Sequence, residues 1–339
     1  MSISSAAGAR FGRWALEHCG LHAAALGERL SGGNSNVTEL VTTAMGRAVL
    51  RRPPDAALSA SAANGVRREY RVLRAVEGQV RAPRALGLCD DADVIGQPFV
   101  LTDFVDGVSI RDRLPDAYLQ YPEPLTAVGF ELVDALADVH RVDWGGTGLG
   151  TAAPHDYVPR QVERWLRART DDPVRALPAL ERVAAWLLRE LPAHRPAALI
   201  HGDYHLDNTL FDRSRPVLRA IIDWELATVG DPLADLALML AFWGPRPLAE
   251  PGFDFVQRVT RSATVVPRET LAERWASRTG IGTERLQYYR VFALWRLAAI
   301  VEGAFVLYCR GQVSDDYSRH LEHDVPALLE EAETLVRMQ

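Results

Sequence analysis

The sequence predicts an α+β fold with two lobes, a small lobe built on an antiparallel sheet with one helix and a larger, mainly helical lobe. Short β-prone runs separated by turn signals dominate residues 29–105, whereas apolar residues recur every three or four positions beyond residue 107. The chain has 339 residues, 48% of them hydrophobic, and this length suits two lobes better than one compact domain. We therefore expect a first lobe at residues 1–105 and a second at residues 106–339.

An N-terminal helix and a strand meander are expected to open the first lobe. The helix is amphipathic, with apolar side chains at Phe11, Trp14 and Leu16. Residues 29–52 alternate turn signals with β-prone runs, which predicts a meander of two or three antiparallel strands. Pro53 and Pro54 lack the backbone N–H donor that a strand ladder needs, so the last strand of the meander ends before them.

A second helix and two more strands complete this lobe. The helix is predicted over residues 62–76, where one stripe contains Val66, Tyr70, Leu73 and Val76. The last strand, residues 99–105, runs into Asp106 and Gly107, a turn signal that suits a hinge.

The second lobe is expected to be helical around one strand-loop-strand segment. Its first helix has an apolar stripe at Leu125, Val128, Leu132, Leu136 and Val139. Further helices are predicted at residues 156–169, 175–191, 232–242 and 286–310. Apolar runs at residues 197–200 and 220–222 predict the two strands of the central segment.

The composition argues against several classes of protein. A net charge of -6 and a pI near 5.9 disfavour a nucleic-acid surface, which needs clustered Lys and Arg. The first 30 residues lack the pattern of a leader peptide, and no apolar run is expected to reach the roughly 18 residues that span a bilayer. Three cysteines, an odd number, suit a reducing compartment. We expect a cytoplasmic monomer or homodimer without nucleic-acid or membrane partners.

The segment HGDYHLDN, residues 201–208, places polar side chains directly after an apolar strand. A carboxylate at Asp203 can accept the proton of a hydroxyl group, and Asn208 supplies a neutral oxygen. Asp223 follows the second apolar run and supplies a charged oxygen. These oxygens suit a hard cation such as Mg²⁺, and phosphoryl transfer needs little else from protein side chains. The segment therefore predicts a small-molecule kinase.

The histidines of this segment leave a second interpretation open. His205 lies two residues after Asp203, near enough to contact a transferred phosphate or to stiffen the loop, and either histidine could simply be a hydrogen-bonded loop residue. Alternatively, His201, Asp203 and His205 alternate along an extended segment and could hold zinc in a hydrolase. The kinase interpretation is favoured because it also explains Glu69 and a glycine-containing loop near residue 32.

That loop, SGGNSN at residues 31–36, precedes two of the predicted strands. Gly32 and Gly33 would let backbone N–H groups approach a phosphate closely, while Ser35 and Asn36 can donate hydrogen bonds. A glycine pair is also typical of a simple hairpin. The position before two short strands favours a phosphate-binding loop.

The motifs HGDYHLDN, IIDWE and GDPLADLA make the chain similar to the aminoglycoside phosphotransferase and choline kinase superfamily, whose fold resembles the bilobal protein kinases. The segments LSGGNSNVT, VLRRPP and LWRLAAIVEG resemble the kinase domains fused to some acyl-CoA dehydrogenases. The resemblance implies a protein-kinase-like fold and a Mg²⁺-dependent O-phosphotransferase that uses ATP or GTP as the phosphate donor.

The resemblance also implies a role for individual residues. Asp203 would be the catalytic base with His205 beside it, and Asn208 and Asp223 would bind Mg²⁺. The implied nucleotide-binding residues are Gly32, Gly33, Ser35, Asn36, Arg51, Glu69, Asp103, Phe104 and Val105. Arg51 stands where kinases commonly have lysine, with Glu69 as its partner and Arg52 as the alternative on the other strand face.

The acceptor is less defined than the donor chemistry. The resemblance suggests a hydroxyacyl-CoA or another hydroxy acid, and the alternatives are an antibiotic (aminoglycoside or macrolide) O-phosphotransferase and a catalytically silent nucleotide-binding regulatory protein. Asp235 resembles a buried acid that holds the catalytic loop. Arg290 and Arg296 could bind an anionic acceptor group or an internal acid such as Glu302. The residues whose roles stay open are Glu225, Asp231, Arg290 and Arg296.

Overall fold

The structure is a computed structural model that describes residues 5–30, 36–54, 60–145, 147–149, 156–171, 173–193, 197–245, 257–261 and 264–338. The chain divides into two compact units. The first comprises Met1–Gly107 together with Arg219–Ala227, and the second comprises Val108–Leu218 together with Thr228–Gln339. The assignment of nucleotide phosphates to residues 1–105 and of catalysis to residues 106–339 stays a prediction.

The first unit is built on a five-stranded antiparallel sheet with the strand order β1-β2-β3-β5-β4. Its strands are β1 (Ala25–Leu30), β2 (Val37–Thr43), β3 (Gly46–Arg52), β4 (Ala85–Cys89) and β5 (Phe99–Asp103). The meander predicted from residue 29 is therefore three-stranded and begins four residues earlier, at Ala25. Side chains alternate along β3, so Leu50 is buried and the side chain of Arg51 lies on the opposite face.

Helix α1 (Ser5–Cys19) supplies the aromatic part of this unit's core. Phe11 and Trp14 pack edge-on against Phe99 of β5, with ring centroids 5.7 and 4.8 Å apart. Leu16, which the sequence placed with these residues, is instead 43% exposed. A close approach explains Gly87 in β4, because a Cβ there would lie 2.6 Å from the sulfur of Cys19.

Helix α2 (Ala60–Val76) follows the meander and has a largely apolar buried stripe. Val66, Leu73 and Val76 on this stripe are at most 2% exposed. Glu69 lies on the same stripe, three residues after Val66, and is also only 2% exposed. A buried carboxylate at this position needs a partner. A short helix, α3 (Ala92–Ile95), lies between β4 and β5.

The second unit is mainly helical. Its helices are α4 (Pro124–His140), α5 (Tyr157–Thr170), α6 (Pro178–Arg189), α7 (Pro232–Ala241), α8 (Arg268–Thr279), α9 (Leu286–Cys309) and α10 (Asp316–Arg337). The later strands of the chain are β6 (Ala198–Ile200), β7 (Thr209–Phe211), β8 (Leu218–Ile221) and β9 (Thr228–Gly230), of which β6 and β9 pair antiparallel. The helix predicted at 175–191 is shorter than expected because Pro178 occupies its first turn.

Helix α9 is the central helix of this unit. It packs against α5, α6, α7 and α10, and its Trp295 donates a hydrogen bond to the carbonyl of Leu180 at 2.8 Å. By length and hydropathy Leu286–Cys309 could cross a membrane, contrary to the expectation that no run is long enough. However, 61% of its most apolar window is buried inside the structure, as in the core helix of a globular protein.

The predicted α+β fold class is confirmed. Among the described residues, the first unit contains the sheet of five strands, and helices α4–α10 lie in the second. The first unit has three helices, α1, α2 and α3, where the predicted fold gave its lobe one. Local patterns were sufficient for this conclusion because alternation and helical periodicity differ clearly on the two sides of residue 107.

Candidate active site

The loop after β6 presents Asp203. Ile200 at the end of β6 is fully buried, and Gly202 turns the chain with a φ of 85°, a left-handed conformation that favours glycine. The next residue, Asp203, is half-exposed. The short strand therefore delivers a carboxylate from the core to an accessible position, as the sequence predicted.

Asp203, His205 and Asn208 form one polar cluster. The side-chain amide of Asn208 donates from Nδ2 to Asp203 Oδ2 at 3.0 Å and to the Asp203 carbonyl at 2.8 Å. Nδ2 of Asn208 also lies 3.2 Å from Nε2 of His205, which is itself 3.8 Å from Asp203 Oδ2. Because the nitrogen of the amide faces Asp203, Oδ1 of Asn208 is left for another partner.

The environment of Asp203 keeps its carboxyl ionised. Burial opposes ionisation, but the hydrogen bond and charge of His205, with the charges of His201 and Arg296, outweigh it and lower the pKa of Asp203 to about 2. An ionised, half-exposed carboxylate can accept a proton from a hydroxyl group.

Two buried side chains hold the peptide groups around Gly202. Asp235 of α7 accepts hydrogen bonds from the backbone N–H groups of His201 at 2.6 Å and Gly202 at 2.9 Å. From α9, Arg296 donates from Nη1 to the carbonyl of Gly202 at 2.8 Å. The residue before Asp203 is thus fixed on both its N–H and its carbonyl side.

A further chain of buried groups lies behind Asp235. The indole N–H of Trp275 donates to Nδ1 of His140 at 2.9 Å, so Nε2 carries the proton of the neutral ring. That Nε2 lies 3.5 Å from Asp235 Oδ2. The resemblance indicated Asp235, but sequence patterns gave no signal for His140 and Trp275, which come from α4 and α8.

The zinc interpretation is not supported by the geometry. No three His, Cys, Asp or Glu side chains converge as metal ligands in the part of the chain that the structure describes. His201 accepts the backbone N–H of Asp203 at Nδ1, at 3.3 Å, and is fully buried. Its role is that of a hydrogen-bonded loop histidine, one of the interpretations that the sequence left open.

The first unit contains a second charged cluster, around Arg51. Its guanidinium donates from Nη1 to Glu69 Oε1 at 2.9 Å and from Nη2 to Asp223 Oδ1 at 2.8 Å. Burial works against both charges of the Arg51–Glu69 pair: it raises the pKa of Glu69, and Arg51 opposes that rise. Arg52, the alternative, is buried on the other face and pairs with Glu39 at 3.4 Å.

Asp223 and Asn208 each keep one side-chain oxygen that could bind Mg²⁺. Asp223 has a φ of 68° and bonds Arg51 through Oδ1 alone, and Asn208 makes its hydrogen bonds through Nδ2. Within the described residues, Oδ2 of Asp223 and Oδ1 of Asn208 accept no hydrogen bond. Carboxylate and amide oxygens of this kind fit a hard cation.

The predicted phosphate loop is only partly described. Gly32, Gly33 and Ser35 lie outside the described residues. Asn36 is buried and donates from Nδ2 to the carboxylate of Glu225. Glu225, whose role the sequence left open, thus bonds a residue of the predicted loop.

The predicted hinge residues follow the end of β5. Asp103 accepts the backbone N–H of Arg84 at 2.7 Å, and the ring of Phe104 lies under the guanidinium of Arg47 at 3.8 Å. Main-chain groups of Phe104 and Val105 bond no other described residue, which leaves them for a ligand.

The remaining open residues have local partners. Asp231 caps α7 by accepting the N–H of Leu233 at 3.0 Å, and it also accepts the hydroxyl of Tyr289. The internal ion pair of Arg296 with Glu302 is absent, since Glu302 binds Arg175 instead. Arg290 contacts Gln287 weakly, at 3.4 Å.

One loop contact was not foreseen. Gln257, fully buried with a φ of 51°, accepts the backbone N–H of Leu206 at 2.8 Å and donates to the carbonyl of Phe242 at 3.1 Å. It thereby supports the turn that carries Asn208, and nothing in the surrounding sequence pattern marks it.

Comparison with known proteins places this arrangement in a family context. The model of the phosphotransferase enzyme family, APH, matches residues 27–269. Acyl-CoA dehydrogenase family member 10 of Mus musculus is 33% identical over 288 residues, which are 83% of this chain and 26% of that protein. The probable acyl-CoA dehydrogenase IBR3 of Arabidopsis thaliana is 30% identical over 303 residues, which are 83% of this chain and 36% of that protein. The chain thus spans well under half of these relatives.

Solved structures show the same fold. A protein from Ralstonia eutropha, provisionally described as an aminoglycoside phosphotransferase, superposes with a TM-score of 0.81 at 26% identity and covers 99% of both chains. A GDP and kanamycin complex of an aminoglycoside 2''-phosphotransferase gives a TM-score of 0.61 at 18% identity, covering 96% of this chain and 98% of that one. The latter similarity concerns the fold alone.

Proposed function

We propose that this chain, which belongs to the phosphotransferase enzyme family, is a small-molecule kinase that transfers the γ-phosphoryl group of ATP or GTP, with Mg²⁺, to a hydroxyl group of a hydroxy acid. The observation that carries the proposal is the cluster of Asp203, His205 and Asn208 at the end of β6. It combines an ionised carboxylate with an amide oxygen that has no described partner.

Asp203 is the proposed base. Its carboxylate orients the acceptor hydroxyl and takes the proton as the oxygen–phosphorus bond forms and the bond to the nucleotide diphosphate breaks. His205, 3.8 Å from Asp203 Oδ2, supports the negative charge of that carboxylate. Asn208 keeps the carboxylate in place through Nδ2.

Asn208 Oδ1 and Asp223 Oδ2 are the proposed oxygen ligands of Mg²⁺. When bound, the metal neutralises charge on the phosphates during transfer. Arg51 is the proposed phosphate contact, and Glu69 is the residue that orients it. Asn36, with Gly32, Gly33 and Ser35, is proposed for the phosphate loop. Main-chain groups of residues 103–105 are proposed for the nucleobase.

An anionic acceptor is favoured by Arg296. This buried guanidinium bonds the carbonyl of Gly202 and lowers the pKa of Asp203, so positive charge lies beside the proposed base. Its Nε is buried without a partner among the described residues. Such a site suits a carboxylate-bearing or phosphate-bearing acceptor better than a polycation. The relatives at 30–33% identity, acyl-CoA dehydrogenase family members, support a hydroxyacyl-CoA or related hydroxy acid.

An antibiotic acceptor is the second candidate, because a structural neighbour was solved with kanamycin. The two candidates are separated by a panel of hydroxyacyl-CoAs, free hydroxy acids, aminoglycosides and macrolides, assayed for ADP or GDP release with Mg²⁺. We expect turnover with a hydroxyacyl-CoA or hydroxy acid and at least about tenfold lower kcat/KM with aminoglycosides. Turnover with antibiotics alone would reverse the acceptor assignment.

The Mg²⁺ dependence of nucleotide binding tests the proposed metal ligand Asp223. Asp223→Ala is expected to lose the Mg²⁺ dependence of nucleotide binding in a calorimetric titration, since one charged ligand is removed. Unchanged Mg²⁺ dependence would remove Asp223 from the metal site.

The same titration on the wild type is the control for a protein that binds nucleotide without turnover. Binding of Mg²⁺-nucleotide by the wild type with no transfer to any acceptor would favour a silent regulatory protein.

Glu69→Gln is expected to raise the dissociation constant of the nucleotide by about tenfold, because Arg51 loses the partner that orients it. Glu39→Gln is a matched control, since Glu39 pairs with the neighbouring Arg52 on the other face of β3. It should leave nucleotide binding unchanged. Equal losses in both variants, measured by calorimetry, would contradict the choice of Arg51 over Arg52.

A further inference from the structure

The second unit contains a cavity of about 660 Å³ beside the C-terminal half of α9. It lies between the end of α5, the following segment up to the start of α6, and residues 302–310. This volume is within the range of small-molecule sites in proteins. Gly303 on its wall lies seven residues after Arg296, which is two helical turns and a total of roughly 10 Å along the axis of α9.

The charged residues of the cavity wall are Arg169, Arg175, Arg310, Glu181 and Glu302. Arg169 and Arg175 differ in their bonding. Arg175 is satisfied: it binds Glu302 through two nitrogens and donates to the carbonyls of Leu321 and Glu322. Arg169 has no ion pair within 4.0 Å in the described part of the chain, and its Nε is buried without a hydrogen-bond partner there. Burial lowers the pKa of Arg169, and the more distant Glu302 only partly opposes this.

Because Gly303 has no side chain, it leaves room for the guanidinium of Arg169. A Cβ at residue 303 would lie 3.1 Å from Nη1 and 3.4 Å from Nη2 of Arg169. The planar group therefore lies close against the backbone of α9, at the wall of the cavity.

The wall also presents large apolar side chains. Val174 and Leu307 are 37% and 41% exposed, unusually open for large apolar side chains, and Leu177 and Val306 adjoin them. Apolar surface next to an arginine with unused donors matches a ligand that combines both characters.

We propose that this cavity binds an amphipathic anion, a phosphate or carboxylate group on an apolar chain, with the anionic group at Arg169 and the chain along Val174 and Leu307. Arg169 is suited to this role because its planar donors can bind two oxygens at once. Arg175 stays paired with Glu302, so Arg169 is the arginine proposed for the anionic group. The inference is independent of the transfer reaction.

Calorimetric titration of the full chain tests the proposal with four probes, octyl phosphate, octanoate, 1-octanol and octylamine, each below its micelle concentration. We expect saturable binding at one site for octyl phosphate, octanoate or both, and at least about tenfold weaker binding for the neutral and cationic probes. The two anionic probes distinguish a phosphate from a carboxylate head group. Equal binding of 1-octanol, or no saturable binding of either anion, would overturn the proposal.

Three variants locate the site. Arg169→Met keeps the length of the side chain and should weaken the anionic probe about tenfold or more, whereas Arg169→Lys should weaken it less. Arg278→Met is the matched control, because Arg278 lies on α8 outside the cavity wall. An unchanged dissociation constant in a folded Arg169→Met protein would show that the anion binds elsewhere.

Discussion

Asp203→Asn is expected to lower kcat for phosphoryl transfer by about 10²–10⁴-fold, while nucleotide affinity changes little. The amide has nearly the shape of the carboxylate, so the contacts to Asn208 and His205 can be largely kept. It cannot accept the proton of the acceptor hydroxyl. Single-turnover formation of the phosphorylated acceptor measures the loss, and calorimetry measures nucleotide binding.

Asp207→Asn is the matched control for this variant. Asp207 lies in the same loop, is buried, and pairs with Arg111 at 3.0 Å. Its substitution changes charge near Asn208 without touching the proposed base, so kcat should fall by less than about tenfold. Full turnover in Asp203→Asn, or equal losses in the two variants, would show that Asp203 is not the base.

The pH profile gives an independent check on Asp203. Because its folded-state pKa is about 2, below the usual value for Asp, the carboxylate is ionised throughout the neutral range. Its contribution to stability is complete above the unfolded-state pKa and is lost as the pH falls towards 2. We therefore expect no loss of kcat/KM from Asp203 between pH 8 and pH 5. An acid limb there that moves in Asp203→Glu would contradict this.

Periodicity was sufficient to predict on which face a side chain lies when only one helix or strand was involved. Alternation along β3 put Arg51 and Arg52 on opposite faces, and the structure gives them different partners, Glu69 and Glu39. Leu16 shows the limit of the same logic. It follows Trp14 closely in sequence, but a helix turns by about 100° per residue and carries Leu16 away from the sheet.

Periodicity alone could not predict the partners of the buried charges on α9, because those partners depend on how distant segments meet. Arg296 and Glu302 are both on α9 and invited an internal pair, yet six residues along a helix place them on different sides. Arg175 reaches Glu302 from the segment before α6, and Arg296 turns to the loop after β6. No local pattern encodes either contact.

The loop that carries Asp203 depends on Asp235, the buried acid that the resemblance indicated. Its carboxylate is 2% exposed and accepts two backbone N–H groups, from His201 and Gly202. Hydrogen bonds to a charged acceptor contribute about 1.5–3 kcal/mol each, and buried donors left without partners are costly. Asp235→Ala is therefore expected to lower the free energy of unfolding by about 3–6 kcal/mol.

Asp231→Ala is the control on the same helix. Asp231 accepts one backbone N–H, that of Leu233, and the hydroxyl of Tyr289, so its loss should cost less, about 1–2 kcal/mol for the cap. Urea unfolding followed by tryptophan fluorescence measures both variants.

Activity separates a positioning role for Asp235 from a purely structural one. At a temperature where Asp235→Ala is still folded, the backbone of Gly202 is no longer held by the carboxylate. We expect kcat to fall at least about tenfold, since a small misplacement of a catalytic base lowers the rate strongly. The KM for nucleotide should change little, because Arg51 and Glu69 belong to the other unit. Asp231→Ala should keep kcat. A folded Asp235→Ala protein with full kcat would mean that Arg296, through the carbonyl of Gly202, suffices to position Asp203.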